Sequence, residues 1–120
     1  SEQTVLAHHL RDHLLTNREG YISLASLAAE HEISVSHLQK LFKQVYGVPI
    51  YRYIKEYRLE QAAVELVRSG KSVTEIAQQA GYDNASKFSE SFKKRYGKTP
   101  SRYRADKKNA VKRSIKNKTE

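Results

Sequence analysis

The sequence predicts an all-α chain: two helix-turn-helix subdomains joined by a long linker helix, about seven helices in all. Three observations point there. A segment of about fifty residues occurs twice: Ser23-Leu24-x-x-Leu27-Ala28 returns as Ser72-Val73-x-x-Ile76-Ala77, and Leu38-x-x-x-Phe42-Lys43-x-x-Tyr46-Gly47 returns as Phe88-x-x-x-Phe92-Lys93-x-x-Tyr96-Gly97. Within each copy the apolar residues recur at i, i+3, i+4 and i+7, the period of an amphipathic helix. Capping residues and glycine stops fall at matching places in both copies. One extra residue enters the second copy near Asp83-Asn84.

Taken in chain order, residues 4–17 read as an opening helix with Val5, Leu6, Leu10, Leu14 and Leu15 as its core stripe. Ser23 then caps a helix whose buried face is Leu24, Leu27 and Ala28. Ser34 caps the next, with Leu38, Leu41, Phe42 and Val45 inward, and Gly47 supplies the left-handed stop. Pro49 suits the first position of a helix, and no breaker follows until Gly70. The stripe Ile50, Tyr53, Ile54, Tyr57, Ala62, Leu66, with Ala63 and Val67 nearby, therefore runs along a continuous helix. At 1.5 Å per residue it is roughly 28 Å long, close to the roughly 34 Å turn of B-DNA.

In the second copy Ser72-x-x-Glu75 forms a capping-box pattern ahead of Val73, Ile76, Ala77 and Ala80. Gly81 makes the turn, and Asp83 or Asn84 caps a helix with Ala85, Phe88, Phe92 and Tyr96 inward, stopped by Gly97. Thr99 and Pro100 start a last helix that includes Tyr103. The expected organisation is a first helix-turn-helix subdomain over 1–48, a linker helix over 49–69, a second subdomain over 70–104, and a basic tail over 105–120 that is disordered or frays from the last helix.

Composition narrows the function classes. The 120 residues carry 22 Lys+Arg against 13 Asp+Glu, a formal charge of +9, which favours a polyanionic partner. Residues 105–120 alone hold six basic and two acidic side chains, and this tail reads either as solvated chain or as non-specific phosphate attraction. The absence of Cys excludes disulfide scaffolds, thiol catalysis and Cys-based zinc sites. No apolar run approaches the 18 residues or so of a membrane span, and the first residues lack the basic and apolar segments of a signal peptide. These features are compatible with a cytoplasmic protein. No cofactor is expected: there is no Gly-rich phosphate loop, no Gly-x-Ser-x-Gly and no His-Glu-x-x-His. His9 and His13 lie four apart but lack a third ligand, and a solvated pair explains them better than a metal. His8, His31 and His37 have no neighbours in sequence that suggest chemistry.

The outer faces of the second helix in each copy bear on function most directly. Opposite Leu38 and Phe42 lie Ser36, Gln39, Lys40 and Lys43; opposite Phe88 and Phe92 lie Ser86, Lys87, Ser89, Glu90 and Lys93. An amide can bond adenine bidentately, Lys can bond guanine acceptors, and a carboxylate can accept from cytosine. Each residue alone reads equally as a solvated helix face. Their recurrence at the same place in a repeated helix pair on a basic chain favours a base-reading surface.

These residues resemble the DNA-binding domain of AraC/XylS-family bacterial transcription regulators over about residues 5–104. The similarity is densest from Ser72 through Asn84 and from Phe88 to the closing Pro100-Ser101-x-Tyr103-Arg104. It includes Ser34-x-Ser36-x-Leu38-x-x-Leu41-Phe42-Lys43 and the linker's Tyr53-Ile54 and Tyr57-Arg58-Leu59-x-x-Ala62. The resemblance implies seven helices, with the second helix of each motif inserted into adjacent major-groove segments of double-stranded DNA. Carried over by position, it implies base reading by Ser36, Gln39 and Lys40 in the first motif and by Ala85, Ser86, Lys87, Ser89 and Glu90 in the second. It implies phosphate binding by Lys43, Asn84 and Lys93, which positions a protein without specifying sequence. It further implies RNA polymerase as a partner and an N-terminal ligand-sensing or dimerisation domain; the Ser start favours a fragment lacking that domain.

Two departures stand out. Glu32 occupies the turn position where the family usually has glycine, so a strained or reshaped first turn is expected. Ala85 offers only a methyl group to thymine, and Ser36 and Ser86 are short, which predicts that the second motif reads few bases. The rivals are an architectural DNA binder without sequence preference and a helical protein-interaction module. A salt titration separates them: a regulator combines a steep salt slope with a strong site preference, an architectural binder shows only the slope, and an interaction module shows neither.

Overall fold

A computed structural model describes residues 2–16 and 24–119, with side chains at 2–12 and 24–117. Seven helices and no strand occur among the described residues: α1 (Glu2–Thr16), α2 (Leu24–Glu30), α3 (Val35–Tyr46), α4 (Ile50–Arg68), α5 (Val73–Gln79), α6 (Ala85–Tyr96) and α7 (Pro100–Thr119). The chain divides into two compact units, Ser1–Tyr57 and Arg58–Glu120, so the boundary falls inside α4. The first turn of α4 belongs to one core and its last turns to the other.

The core of the first unit consists of Ala7 and Leu10 from α1, Leu24, Leu27 and Ala28 from α2, Leu38, Leu41 and Phe42 from α3, and Ile50 and Ile54 from α4. That of the second unit consists of Leu59, Ala62, Ala63 and Leu66 from α4, Ile76 and Ala77 from α5, Ala80, and Phe88 and Phe92 from α6. No polar or charged residue among those described is buried. Each core is small and held by apolar burial at about 25 cal/mol per Å².

The apolar period of α2, α3, α5 and α6 agrees with the faces they bury. In α1, Val5 is 55% exposed rather than in the core, and Ala7 takes the inward position. At 100° per residue Val5 stands about 200° from Ala7, on the opposite side of the helix. The side chains of His13 and of the expected core residues Leu14 and Leu15, and the cap at Ser23, lie outside what the structure describes. In α4, Val67 is 37% exposed, while Leu59 enters the second core.

The disordered or fraying tail expected over 105–120 is replaced by helix: α7 continues to Thr119. No proline or glycine follows Pro100, and Lys, Arg and Ala are good helix formers. The body anchors the start of this helix. Arg104 Nε donates to the Leu66 carbonyl at 2.8 Å and Arg104 Nη2 to the Lys71 carbonyl at 2.6 Å, closing open carbonyls at and beyond the C-terminal end of α4. Lys98 Nζ (2.7 Å) and Arg102 Nε (3.2 Å) both bridge to Asp106.

The aromatic packing extends the repeat. Phe42 and Tyr46 lie 4.6 Å apart with Tyr53 edge-on to Phe42 at 5.2 Å; Phe92 and Tyr96 lie 4.6 Å apart with Tyr103 edge-on to Phe92 at 5.3 Å. The first turns of α4 and α7 thus play the same part in their respective units, each sealing one side of the core with a ring.

Candidate nucleic-acid interface

The two helix pairs, α2–α3 and α5–α6, are joined by the same backbone turn. In the first, Ile33 N–H donates to the Ala28 carbonyl (3.0 Å) and Glu32 N–H to the Ala29 carbonyl (3.1 Å). In the second, Tyr82 N–H donates to the Ala77 carbonyl and Gly81 N–H to the Gln78 carbonyl, both at 3.0 Å. This pair of bonds defines a Schellman motif, which needs a left-handed residue just past the helix end. Gly81 adopts it with φ 87°, and Glu32 with φ 56°. The expected strain at Glu32 is therefore present as a left-handed non-glycine residue, and the turn keeps its shape rather than opening.

The second helix of each pair starts from the same kind of cap. Ser34 Oγ accepts from His37 N–H at 3.0 Å, and Asn84 Oδ1 accepts from Lys87 N–H at 2.8 Å. Asn84 rather than Asp83 caps α6, which leaves its amide –NH₂ as a donor. Gly47 and Gly97 end the two helices in the left-handed region, φ 77° and 76°. With matching caps and stops, the positions of α3 and α6 correspond at a fixed offset of 50 residues.

Side-chain exposure follows this register. Ser36, Gln39, Lys40 and Lys43 of α3 are exposed, and so are Ser86, Lys87, Glu90 and Lys93 of α6. One outer-face position differs from expectation. Ser89 is half-buried, because it lies about 100° round the helix from Phe88, on the shoulder of the core stripe, and Ala85, expected on the inner stripe, is half-buried about 60° from Phe88. Residues of the same helical register pair across the motifs as Ser36 with Ser86, Gln39 with Ser89, Lys40 with Glu90, and Lys43 with Lys93.

The same register exposes three residues that the helix pattern alone does not single out. His37 matches the expected base reader Lys87, and Gln44 matches Lys94; His37, Gln44 and Lys94 are all exposed. The signal for them is the constant offset, which holds on the outer face as it does in the core. Lys43, Lys93, Lys94 and Arg95 also occupy the last turns of their helices, where cations offset the C-terminal dipole. Arg95 Nη2 is bound to Glu60 Oε1 at 2.7 Å. No group of three or more His, Asp or Glu side chains that could hold a metal occurs among the described residues. His9 is exposed.

Behind α3, the Tyr46 ring packs under α1, with His8 at 5.8 Å and the Arg11 guanidinium 5.7 Å over its face. Its hydroxyl is buried without a hydrogen-bond partner. Burial raises the Tyr46 pKa, with the Arg11 charge opposing that shift. Behind α6, the hydrogen bond from Lys98 holds the Asp106 carboxyl below the usual carboxylate range.

A family profile described as a helix-turn-helix domain matches residues 27–106. The Right origin-binding protein of Escherichia coli K12 is 38% identical over 99 residues, covering 79% of this chain and 34% of that protein. The chain thus spans about a third of the length of that relative. Among solved structures, an AraC-type DNA-binding transcriptional regulator from Chromobacterium violaceum superimposes with a TM-score of 0.73 at 28% identity, covering 87% of this chain and 90% of that one. The DNA-binding domain of AdpA, solved in complex with a target DNA, gives a TM-score of 0.73 at 25% identity over 84% of this chain and 90% of that one. With the profile covering more than half of the chain, from within α2 into α7, the chain belongs to the AraC-type helix-turn-helix family.

Proposed function

We propose that this chain is the sequence-specific double-stranded DNA-binding part of a bacterial transcription regulator, and that α3 and α6 enter successive major-groove segments. The observation that carries this reading is the matched pair of capped helices, α3 presenting exposed hydroxyl, amide and ammonium groups and α6 exposed hydroxyl, ammonium and carboxylate groups at the same register. The family membership and the neighbour solved on its target DNA support duplex DNA as the partner. A DNA partner places the chain with the nucleoid.

In this reading Gln39 bonds adenine and Lys40 bonds guanine from α3, while Lys87 and Glu90 address guanine and cytosine from α6. Ser36, Ser86, Ser89 and Ala85 add short contacts at the edges. Lys43, Lys93 and the Asn84 amide bind phosphate and fix the register. Because Lys40 and Glu90 hold equivalent positions with opposite charge, the two half-sites differ in sequence. RNA polymerase and a separate N-terminal sensing or dimerisation domain complete the regulator.

Selection of bound sites from random duplexes tests the proposal. The expected product is a bipartite motif whose halves lie about one helical turn apart, roughly 10–10.5 base pairs. Enrichment of no motif would overturn sequence-specific reading.

A further inference from the structure

The helical extension of α7 lies beyond the family match, which ends at residue 106. Residues 107–120 contain six basic side chains and one acidic side chain, Glu120. The acid just before them, Asp106, is already engaged by Lys98 and Arg102. The docked side of α7 is defined by Tyr103 against Phe92, by Arg104 on the Leu66 and Lys71 carbonyls, and by Lys107, whose ammonium lies 5.4 Å over the Tyr103 ring.

At 100° per residue, Val111 and Ile115 share the row of Tyr103 and Lys107, but both are exposed. Lys108, Lys112 and Lys116 fall at i, i+4 and i+8 in the adjacent row, which continues from Arg104 and turns gradually away from the docked residues, with Arg113 on their flank, and all four are exposed. Like charges at i, i+4 repel and weaken an isolated helix by a few tenths of a kcal/mol per pair. A polyanion lying along such a ridge relieves that repulsion.

We infer that this basic ridge of α7 is a third DNA contact, which binds the sugar-phosphate backbone of the duplex outside the segments read by α3 and α6. The inference rests on the DNA-binding reading above and extends it to a surface beyond the family match. Point-charge ammonium groups spaced along one helix line suit phosphates and carry no base information. The ridge therefore adds affinity to every sequence alike and leaves site preference unchanged.

The test uses the full chain and a variant with Lys108→Gln, Lys112→Gln, Arg113→Gln and Lys116→Gln; glutamine keeps the helix propensity. Binding to a selected site and to a random duplex of equal length is titrated against salt. The slope of log affinity against log salt should fall by about 0.9 for each phosphate the variant no longer neutralises, up to about 3.6 for four. Both duplexes should lose affinity by the same factor, and hydroxyl-radical protection should shorten at one edge of the footprint. An unchanged slope with intact helicity would overturn the third contact while leaving the two-helix reading in place. A loss confined to the selected site would also overturn it, because the ridge would then be reading bases. Failure of the unmodified chain to prefer any site would instead remove the reading on which the inference rests.

Discussion

Glu32 and Gly81 occupy the same place in the same turn, and one of them is the wrong residue for it. A left-handed L-residue costs about 1–2 kcal/mol relative to its preferred region, whereas glycine adopts it freely. Glu32→Gly should therefore raise the stability of the first unit by about 1 kcal/mol after the added flexibility of the unfolded chain is counted. Urea unfolding checks this; a lower midpoint would mean that the Glu32 side chain makes a compensating interaction. Tyr46 gives a second prediction at this scale. Its buried hydroxyl has no partner, so Tyr46→Phe should be neutral or mildly stabilising at pH 7. Its pKa is raised in the folded chain, so the folded state favours the neutral phenol. That contribution is complete below the ordinary tyrosine value of about 10 and is lost as pH rises through the folded pKa. The Phe variant should accordingly lose less stability as pH rises above about 10, and an identical alkaline loss in both proteins would contradict the assignment. Asp106 shows the opposite sign: its lowered pKa contributes stability above the ordinary value of about 4, lost as pH falls below it.

At the scale of the helix, α3 and α6 are built to the same plan: a short polar cap, an aromatic core residue with a second ring one turn on, and a glycine stop. Phe42 and Phe92 are fully buried, and truncating either to Ala should cost about 3–5 kcal/mol. Thermal melting that matches the unmodified protein would mean that the helix faces are reversed. On the outer face, Gln39→Ala and Lys40→Ala should each weaken specific binding by about 1–3 kcal/mol without loss of helicity. Lys93→Ala should weaken all duplexes alike and flatten the salt slope by about one unit. Most of this plan is legible in the sequence because caps, stops and apolar spacing are local. Leu24, Leu27, Leu38, Phe42, Ile76 and Phe88 are inward because each repeats at helical spacing beside its cap. What escapes a sequence reading depends on partners distant in the chain. Arg104 reads as one more basic residue, yet it reaches back 38 and 33 positions to close carbonyls at Leu66 and Lys71. The tail has no apolar period and so reads as disordered or fraying, but helix propensity and a start anchored by Pro100, Tyr103 and Arg104 carry α7 through it. Val5 misleads because an alanine, Ala7, holds the inward position and a small residue gives a weak apolar signal.

At the scale of the whole molecule, the chain is two units with separate cores and one shared helix, α4. The units are variations on one four-helix theme, α1–α4 in the first and α4–α7 in the second, with the starts of α4 and α7 in equivalent roles behind α3 and α6. Such a chain presents two probes without needing a second copy of itself. Opposite charges at Lys40 and Glu90 make the probes unequal, which predicts an operator without internal two-fold symmetry. The measurement that tests this most directly is the affinity of the selected site after each half is scrambled in turn. Scrambling the half read by α3 should cost several kcal/mol, at about 1–3 per mismatched base pair, scrambling the half read by α6 should cost less because that motif reads fewer bases, and scrambling both should reduce binding to that of random DNA. If one half can be scrambled with no drop in affinity, only one of the two helices reads sequence and the paired-probe account is wrong.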